Sequence, residues 1–145
     1  CGLAGRGHVD IGWLAGQKLV LPSHSHGLRA LIEKAAARKN LPLNVLIEAD
    51  SFRVLTSFVE EGLGVTLLPL SAVRAELGDG RLEAAPLAKP TISRELILAA
   101  PADRPPSIAT ATISALIRRE IELLRDEGLW DIRVAASGDA DDRRV

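Results

Sequence analysis

Residues 48–69, EADSFRVLTSFVEEGLGVTLLP, contain a strand end, a turn, an amphipathic helix and the next strand. Asp50 and Ser51 are residue types that accept hydrogen bonds from the free N–H groups at a helix start. The apolar side chains that follow share one helical stripe: Val54, Leu55, Phe58 and Val59. Gly62 predicts the helix end, because glycine adopts the left-handed conformation there without a Cβ penalty. A short buried strand over residues 65–68 follows, so the stretch predicts a βαβ unit.

The composition is that of a globular protein of about one domain. The 145 residues are 47% hydrophobic and 26% charged, which excludes disordered and collagen-like chains. A net charge of -1, with no long run of Lys or Arg, argues against a nucleic-acid or anionic-membrane surface in this part. No apolar run approaches the ~20 residues of a membrane helix, so we expect a soluble protein.

The first residue, Cys1, is the only cysteine, so an internal disulfide cannot form. The sequence contains no methionine, and we expect either a processed chain or a fragment of a longer one. A lipid-anchored exported protein is the alternative that a first Cys leaves open.

Strands and helices are predicted to alternate along most of the chain. The strands are expected at residues 18–22, 43–49, 65–68, 81–87 and 95–100, and the further helices at 28–39, 71–77 and 107–125. In the helix over 28–39, Arg29 is predicted on the solvent face, opposite an apolar stripe that contains Leu28 and Ile32. Residues 1–17 show no sustained periodicity and are expected to be a connector.

The alternation predicts an α/β fold with a mostly parallel sheet, helices on both faces and right-handed crossovers. In such a sheet a ligand binds outside the carboxyl ends of the strands. Helices are predicted to begin there after Pro22 and Ala49, and their N-termini suit an anionic group. The hydroxyls of Ser23, Ser25 and Ser51 could complete that site, or they could simply cap the helices.

Other chemistries find little support in the sequence. His24 and His26 lack a third ligand and make a poor metal site. Ser23, His24 and Asp50 could be imagined as a hydrolase triad, but no nucleophile elbow is present. P-loop, dinucleotide and H-E-x-x-H motifs are also missing from the sequence, so we predict neither an enzyme nor a cofactor.

Glu60 and Glu61 lie at the predicted end of a helix, where acidic side chains oppose the helix dipole. We hypothesise a basic partner for them, in this chain or on a neighbouring subunit. The alternative is two solvated surface acids.

Four segments in this order resemble the effector-binding domain of LysR-type transcriptional regulators. They are LVLPSHSHGLR, EADS with its helix, EEGLGVTLLP, and SREL with the Pro-flanked loop before the last helix. The resemblance covers residues 17–125 and implies a two-lobed sensor similar to type 2 periplasmic binding proteins. It implies a complete second lobe at 18–100, a remnant of the first lobe at 1–17, a return segment and helix at 101–130, and a mobile tail at 131–145.

The resemblance also implies where a small effector is contacted. The positions are Ser23, His24, Ser25, His26, Asp50, Ser51, Phe52 and Thr66. It further implies a cytoplasmic homo-oligomer with no membrane partner, which reaches DNA only through a domain that this sequence lacks. Because most of the first lobe is also lacking, we expect exposed apolar side chains on the helix over 107–125, and weak effector binding or none. The alternative is a solute-binding protein of a transport system, which shares the fold.

Overall fold

Strand β2, Leu19–Leu21, is the most deeply buried element, and each of its three residues is 0% exposed. The computed structural model describes residues 2–3, 5–101 and 103–130. On one side β2 pairs in parallel with β3, Val45–Glu48, with Val20 opposite Ile47. On the other side Val65 forms a parallel bridge to Leu19, and the Val20 N–H donates to the Val65 carbonyl at 2.9 Å. Partners on both edges therefore place β2 at the centre of the core.

A second parallel pair joins distant parts of the sequence. Strand β1, Val9–Asp10, pairs with β4, Leu87–Lys89, with Val9 opposite Leu87. Both pairs of strands are parallel, as the alternating pattern of strands and helices predicts.

The four helices lie close to their predicted positions. They are α1 at Gly27–Ala37, α2 at Phe52–Glu60, α3 at Arg74–Gly78 and α4 at Ile108–Asp126, and a 3-10 turn at Leu70–Ala72 precedes α3. Helix α2 ends as the sequence predicts: Gly62 has a φ of 74°, its N–H donates to Val59 and the next N–H, of Leu63, donates to Phe58. The helical periodicity of the sequence was therefore a reliable guide.

Residues 9–16 are more ordered than the sequence suggests. After β1 the chain forms a 3-10 helix, Ile11–Gly16, in which Ile11 and Leu14 are buried in the same core cluster as β2. The Asp10 carboxylate begins this helix by accepting from the Gly12 N–H at 2.8 Å, and it pairs with Lys39 Nζ at 2.9 Å. The sequence shows no sustained periodicity here and did not predict this 3-10 helix, because two apolar residues spaced by three suffice to anchor so short an element.

Three predicted strands differ from the structure. The strand expected at 81–87 begins only at Leu87, as β4, because Leu87 is the residue that pairs with Val9. At 65–68 only Val65 makes a ladder contact. Residues 95–100 are not a strand, and Leu96, Ile97 and Leu98 are exposed. An apolar run forms a strand only where a neighbouring strand supplies its hydrogen bonds.

The end of α2 carries an internal ion pair. Arg81 contacts the Glu60 carboxylate, and it also lies 3.2 Å from Asp79 and 4.0 Å from Glu76. The hypothesis of a basic partner within the chain is confirmed for Glu60. These acids, above all the hydrogen-bonded Asp79, raise the pKa of Arg81.

The chain divides into two units, Cys1–Glu95 and Leu96–Val145. All four strands of the described residues lie in the first unit, and α4 lies in the second. No residue of α4 is buried, and the expected exposed apolar side chains are present: Ile108, Ile113, Leu116, Ile117 and Leu123. The predicted mobile tail, 131–145, lies outside the described residues, as does Cys1.

Candidate functional site

The carboxyl ends of β2 and β3 lie side by side, and the turns that follow them meet. Leu21 is opposite Glu48, and the Ala49 N–H donates to the Leu21 carbonyl at 3.1 Å. Five residues separate the end of β2 from the start of α1, and three separate the end of β3 from the start of α2. The structure therefore brings together the residues around Ser23 and Asp50, as expected for a parallel sheet.

Asp50 ties the two turns to each other. Its Oδ1 accepts from the Ser23 hydroxyl at 2.7 Å and from the Ser23 N–H at 3.0 Å. The Ser25 hydroxyl lies 2.9 Å from that of Ser23. The Ser23 hydroxyl and, after it, the Ser23 N–H stabilise the charged carboxylate and so lower the pKa of Asp50. Asp50 was predicted to cap α2, but its carboxylate bonds Ser23 of the other turn.

His26 begins α1 in the role that the sequence suggested for the nearby serines. Its Nδ1 accepts from the Leu28 N–H at 3.1 Å. A neutral ring that accepts at Nδ1 carries its proton on Nε2, which is then a donor. The ring lies 5.6 Å from that of Phe52, tilted by 56°. This contact joins the start of α1 to the start of α2.

The start of α2 has no side-chain cap. Ser51 occupies the N-cap position, yet its hydroxyl makes no capping hydrogen bond. The N–H groups of the first turn of a helix have no partner within the helix. These donors and the Ser51 hydroxyl have hydrogen-bonding capacity left for a ligand.

Thr66 follows the bridge residue Val65 on the opposite side of β2 from β3. Its Oγ1 is buried and, among the described residues, has no hydrogen-bond partner. A buried hydroxyl without a partner costs about 1–3 kcal/mol, so a ligand or water bound there is favoured.

His24 differs from the other predicted site residues in its contacts. Its Nδ1 lies 3.1 Å from Glu33, and its Nε2 lies 3.6 Å from Glu48 and 3.4 Å from Arg29. These contacts place His24 in an ion cluster beside the turn.

Arg29 was predicted on the solvent face of α1, and this is wrong, because the residue is only 3% exposed. Its Nε donates to Glu33 at 2.7 Å, and its Nη1 donates to Glu48 and to the Pro22 carbonyl, both at 3.1 Å. Two acids, one four residues along the helix and one at a strand end, compensate for the buried charge. Only the spacing of Arg29 and Glu33 was visible in the sequence, and on its own it is equally typical of a solvent-exposed pair.

The arrangement does not support hydrolysis. The Ser23 hydroxyl donates directly to the Asp50 carboxylate, whereas the triad considered above needs His24 between them, and His24 lies against Glu33 and Glu48 instead. Within residues 2–3, 5–101 and 103–130, no group of three or more His, Cys, Asp or Glu side chains could hold a metal ion. In the same residues no helix is both long enough and apolar enough to cross a membrane.

Comparison with known proteins gives one family. The model of the LysR substrate binding domain matches residues 2–122. The nitrogen assimilation regulatory protein nac of Escherichia coli strain K12 is 32% identical over 94 residues, which are 65% of this chain and 31% of that protein.

Two further relatives match over more of the chain. The HTH-type transcriptional regulator BbuR of Bordetella bronchiseptica is 30% identical over 117 residues, 81% of this chain and 36% of BbuR. The uncharacterized HTH-type transcriptional regulator YfeR of Shigella flexneri is 30% identical over 119 residues, 82% of this chain and 33% of YfeR.

The chain thus spans about a third of the length of these curated relatives. They are named as regulators, so neither the transporter alternative nor an enzyme is favoured. The family match extends over most of the chain, and the parallel strands and helices agree with the type 2 periplasmic-binding-protein-like fold of that family. The chain belongs to the LysR substrate-binding domain family.

Proposed function

We propose that this chain is the effector-sensing part of a LysR-type transcriptional regulator, and that it binds a small anionic molecule at the carboxyl ends of β2 and β3. The observation that carries the proposal is the uncapped N-terminus of α2 beside the joined turns. Its free N–H groups and positive dipole end stabilise a carboxylate, sulfonate or phosphate group. The relatives, which are named as transcriptional regulators, supply the biological context.

The predicted site residues have different roles in this proposal. Ser51 and the first turn of α2 contact the anionic group, with Phe52 and the Nε2–H of His26 beside them. Ser23, Ser25 and Asp50 use their hydrogen bonds on one another and set the shape of the turns. The buried hydroxyl of Thr66 offers a second polar contact for the ligand.

The charge of Asp50 sets a limit on the ligand. Its carboxylate is kept ionised by Ser23, so an anion placed against it would be repelled. The anionic group therefore lies towards Ser51, and a hydroxyl or amine of the ligand lies towards Asp50.

The regulator as a whole would act by population shift. A ligand that binds one arrangement of a homo-oligomer more tightly biases the equilibrium towards it, and so changes DNA binding by the helix-turn-helix domain. We place this regulator in the cytoplasm, where its DNA target is.

The binding test uses the 145-residue chain and a panel of small carboxylates, sulfonates and phosphates at millimolar concentration. We expect the amide NMR signals of residues 51–54 to shift, and Ser51→Ala to weaken the binding of a hit about tenfold or more, the size of one hydrogen bond to a charged group. Ser57→Ala is the matched control, because the Ser57 hydroxyl on the same helix bonds only its own turn, at the Arg53 carbonyl. Equal weakening by both variants, or shifts confined to another surface, would reject the site.

A further inference from the structure

A buried guanidinium, that of Arg29, bonds the chain one residue before Ser23 of the candidate site, at the Pro22 carbonyl. Arg29 is one of two buried polar or charged residues among the described residues, and it is the only one of the two that carries a charge. A buried charge is costly unless it is paired and hydrogen-bonded, so its contacts define one well-determined geometry.

The contacts of the Arg29 guanidinium join the end of β2, the end of β3 and helix α1. Nη1 donates both to the Pro22 carbonyl, which follows β2, and to the Glu48 carboxylate, which ends β3. Nε donates to Glu33 on α1, four residues along the same helix as Arg29. The planar fork of arginine suits such divergent acceptors, whereas a lysine ammonium is a single point charge.

These contacts lie where the backbone hydrogen bonds between β2 and β3 end. The last backbone bond between the two strands runs from the Ala49 N–H to the Leu21 carbonyl. The next carbonyl, of Pro22, accepts from Arg29 instead. One residue further on, the Ser23 N–H reaches Asp50. Between the last backbone bond of the strand pair and the Ser23–Asp50 bond, the contact between the two strand ends is therefore made by Arg29.

We propose that Arg29 is a positioning residue that holds the ends of β2 and β3 at the separation at which Ser23 meets Asp50. Its importance for an effector rests on the proposed function, but the positioning itself does not. His24 contacts the same two acids, Glu33 and Glu48, on the exposed side of this cluster.

The test reads the geometry through Asp50 and needs no ligand. The Ser23 bonds lower the pKa of Asp50, so carboxyl carbon NMR of the full chain reports whether they persist. Arg29→Lys keeps the positive charge and removes the fork. We expect the pKa of Asp50 to rise towards the ordinary value of an aspartate, with the amide spectrum of the rest of the first unit retained.

Glu48→Ala provides a second variant that separates geometry from charge and avoids a change in the core, since the Glu48 side chain is 40% exposed. Removal of a negative charge alone would lower the pKa of Asp50 further, because a like charge disfavours the ionised form. Loss of the clamp would raise it. The sign of the change therefore decides between the two effects.

Lys39→Met is the matched control: it removes a positive charge just after α1 and leaves the turns untouched. We expect an unchanged pKa of Asp50 and a raised pKa of Asp10, which the Gly12 N–H and, after it, the hydrogen bond from Lys39 lower. An unchanged pKa of Asp50 in Arg29→Lys, or a decrease in Glu48→Ala, overturns the positioning role whether or not any anion binds. A wild-type chain that binds no anion rejects the proposed anion site and leaves the positioning role of Arg29 untouched.

Discussion

The core around β2 and the helix α4 are both rich in apolar side chains, yet their surroundings are opposite. Leu19, Val20 and Leu21 are fully buried, whereas Leu116 of α4 is 56% exposed. β2 has a strand on one edge, a bridge on the other and helical packing against its faces. In α4 the apolar residues Ile113, Leu116 and Ile117 lie at helical spacing but are exposed to solvent.

The difference separates what makes an element form from what makes it stable. A helix satisfies its own backbone, so α4 forms from local sequence and a Ser107 cap alone. A strand requires a neighbour, so the apolar run at 95–100 is left without regular structure. Burial of apolar surface stabilises a fold by about 25 cal/mol per Å², and this contribution is present for β2 and missing for α4.

The largest effect is expected from removal of a core side chain. Leu55 on α2 is fully buried, so Leu55→Ala should destabilise the first unit by about 2–5 kcal/mol. Leu116→Ala makes the same change at an exposed site and should alter stability by no more than about 0.5 kcal/mol. Denaturant unfolding of both variants checks this, and a comparable loss in both would mean that α4 is covered in solution.

The next effect concerns a close backbone approach in the core. A Cβ added at Gly64 would lie 2.5 Å from the Lys18 carbonyl oxygen, next to the bridge between Val65 and Leu19. Gly64→Ala must push these backbones apart, at a cost of about 1–3 kcal/mol.

Gly78→Ala is its matched control, because Gly78 lies in α3 and a Cβ there meets nothing within 4 Å. Alanine is the better helix former, so thermal unfolding should show no loss. If Gly64→Ala unfolds like the wild type, Val65 does not hold the position beside β2 that the structure gives it.

The sequence predicted the elements that depend on local rules. The four helices follow from apolar spacing, and the end of α2 follows from Gly62. The adjacency of the Ser23 and Asp50 turns follows from the parallel sheet, which the alternation of elements predicts. These features need no knowledge of distant contacts.

Features set by distant partners escaped prediction. The position of β4 depends on Val9, about 80 residues away in sequence, and the burial of Arg29 depends on Glu48 and Pro22. Local rules likewise predict that Asp50 caps α2, whereas its carboxylate accepts from Ser23, which is distant in sequence. The effector contacts themselves stay a prediction.

A smaller effect distinguishes the two helix starts. The Ser107 hydroxyl accepts from the Thr110 N–H at 3.1 Å, whereas Ser51 makes no such bond. Ser107→Ala should therefore destabilise α4 by about 1 kcal/mol and reduce its helical protection in hydrogen exchange. Ser51→Ala should leave the stability of α2 unchanged. A loss for Ser51→Ala would show that its hydroxyl caps α2 in solution and would weaken its use as a binding probe.

The smallest effect is a pH dependence confined to the first unit. Hydrogen bonds lower the folded-state pKa of Asp10, mainly through Gly12 and then Lys39, and that of Asp50, through Ser23. A lowered folded-state pKa adds stability that is complete above the unfolded-state pKa of about 3.9 and disappears as the pH falls through the lower folded-state value. Urea midpoints of the first unit should therefore fall with acidification below about pH 4.

The double variant Asp10→Asn, Asp50→Asn removes both titrating groups and should show a weaker acid dependence than the wild type. Asp103→Asn, in the second unit, should leave the acid dependence of the first unit as it is. A double variant that retains the full slope would mean that neither carboxylate is held by its neighbours, and Asp50 would then be free to cap α2 as its sequence position suggests. Because the bonds to Ser23 and Gly12 lower these pKa values, the acid slope measures two contacts of the first unit: the Ser23–Asp50 bonds that join the two turns and the Gly12–Asp10 bond that begins the 3-10 helix.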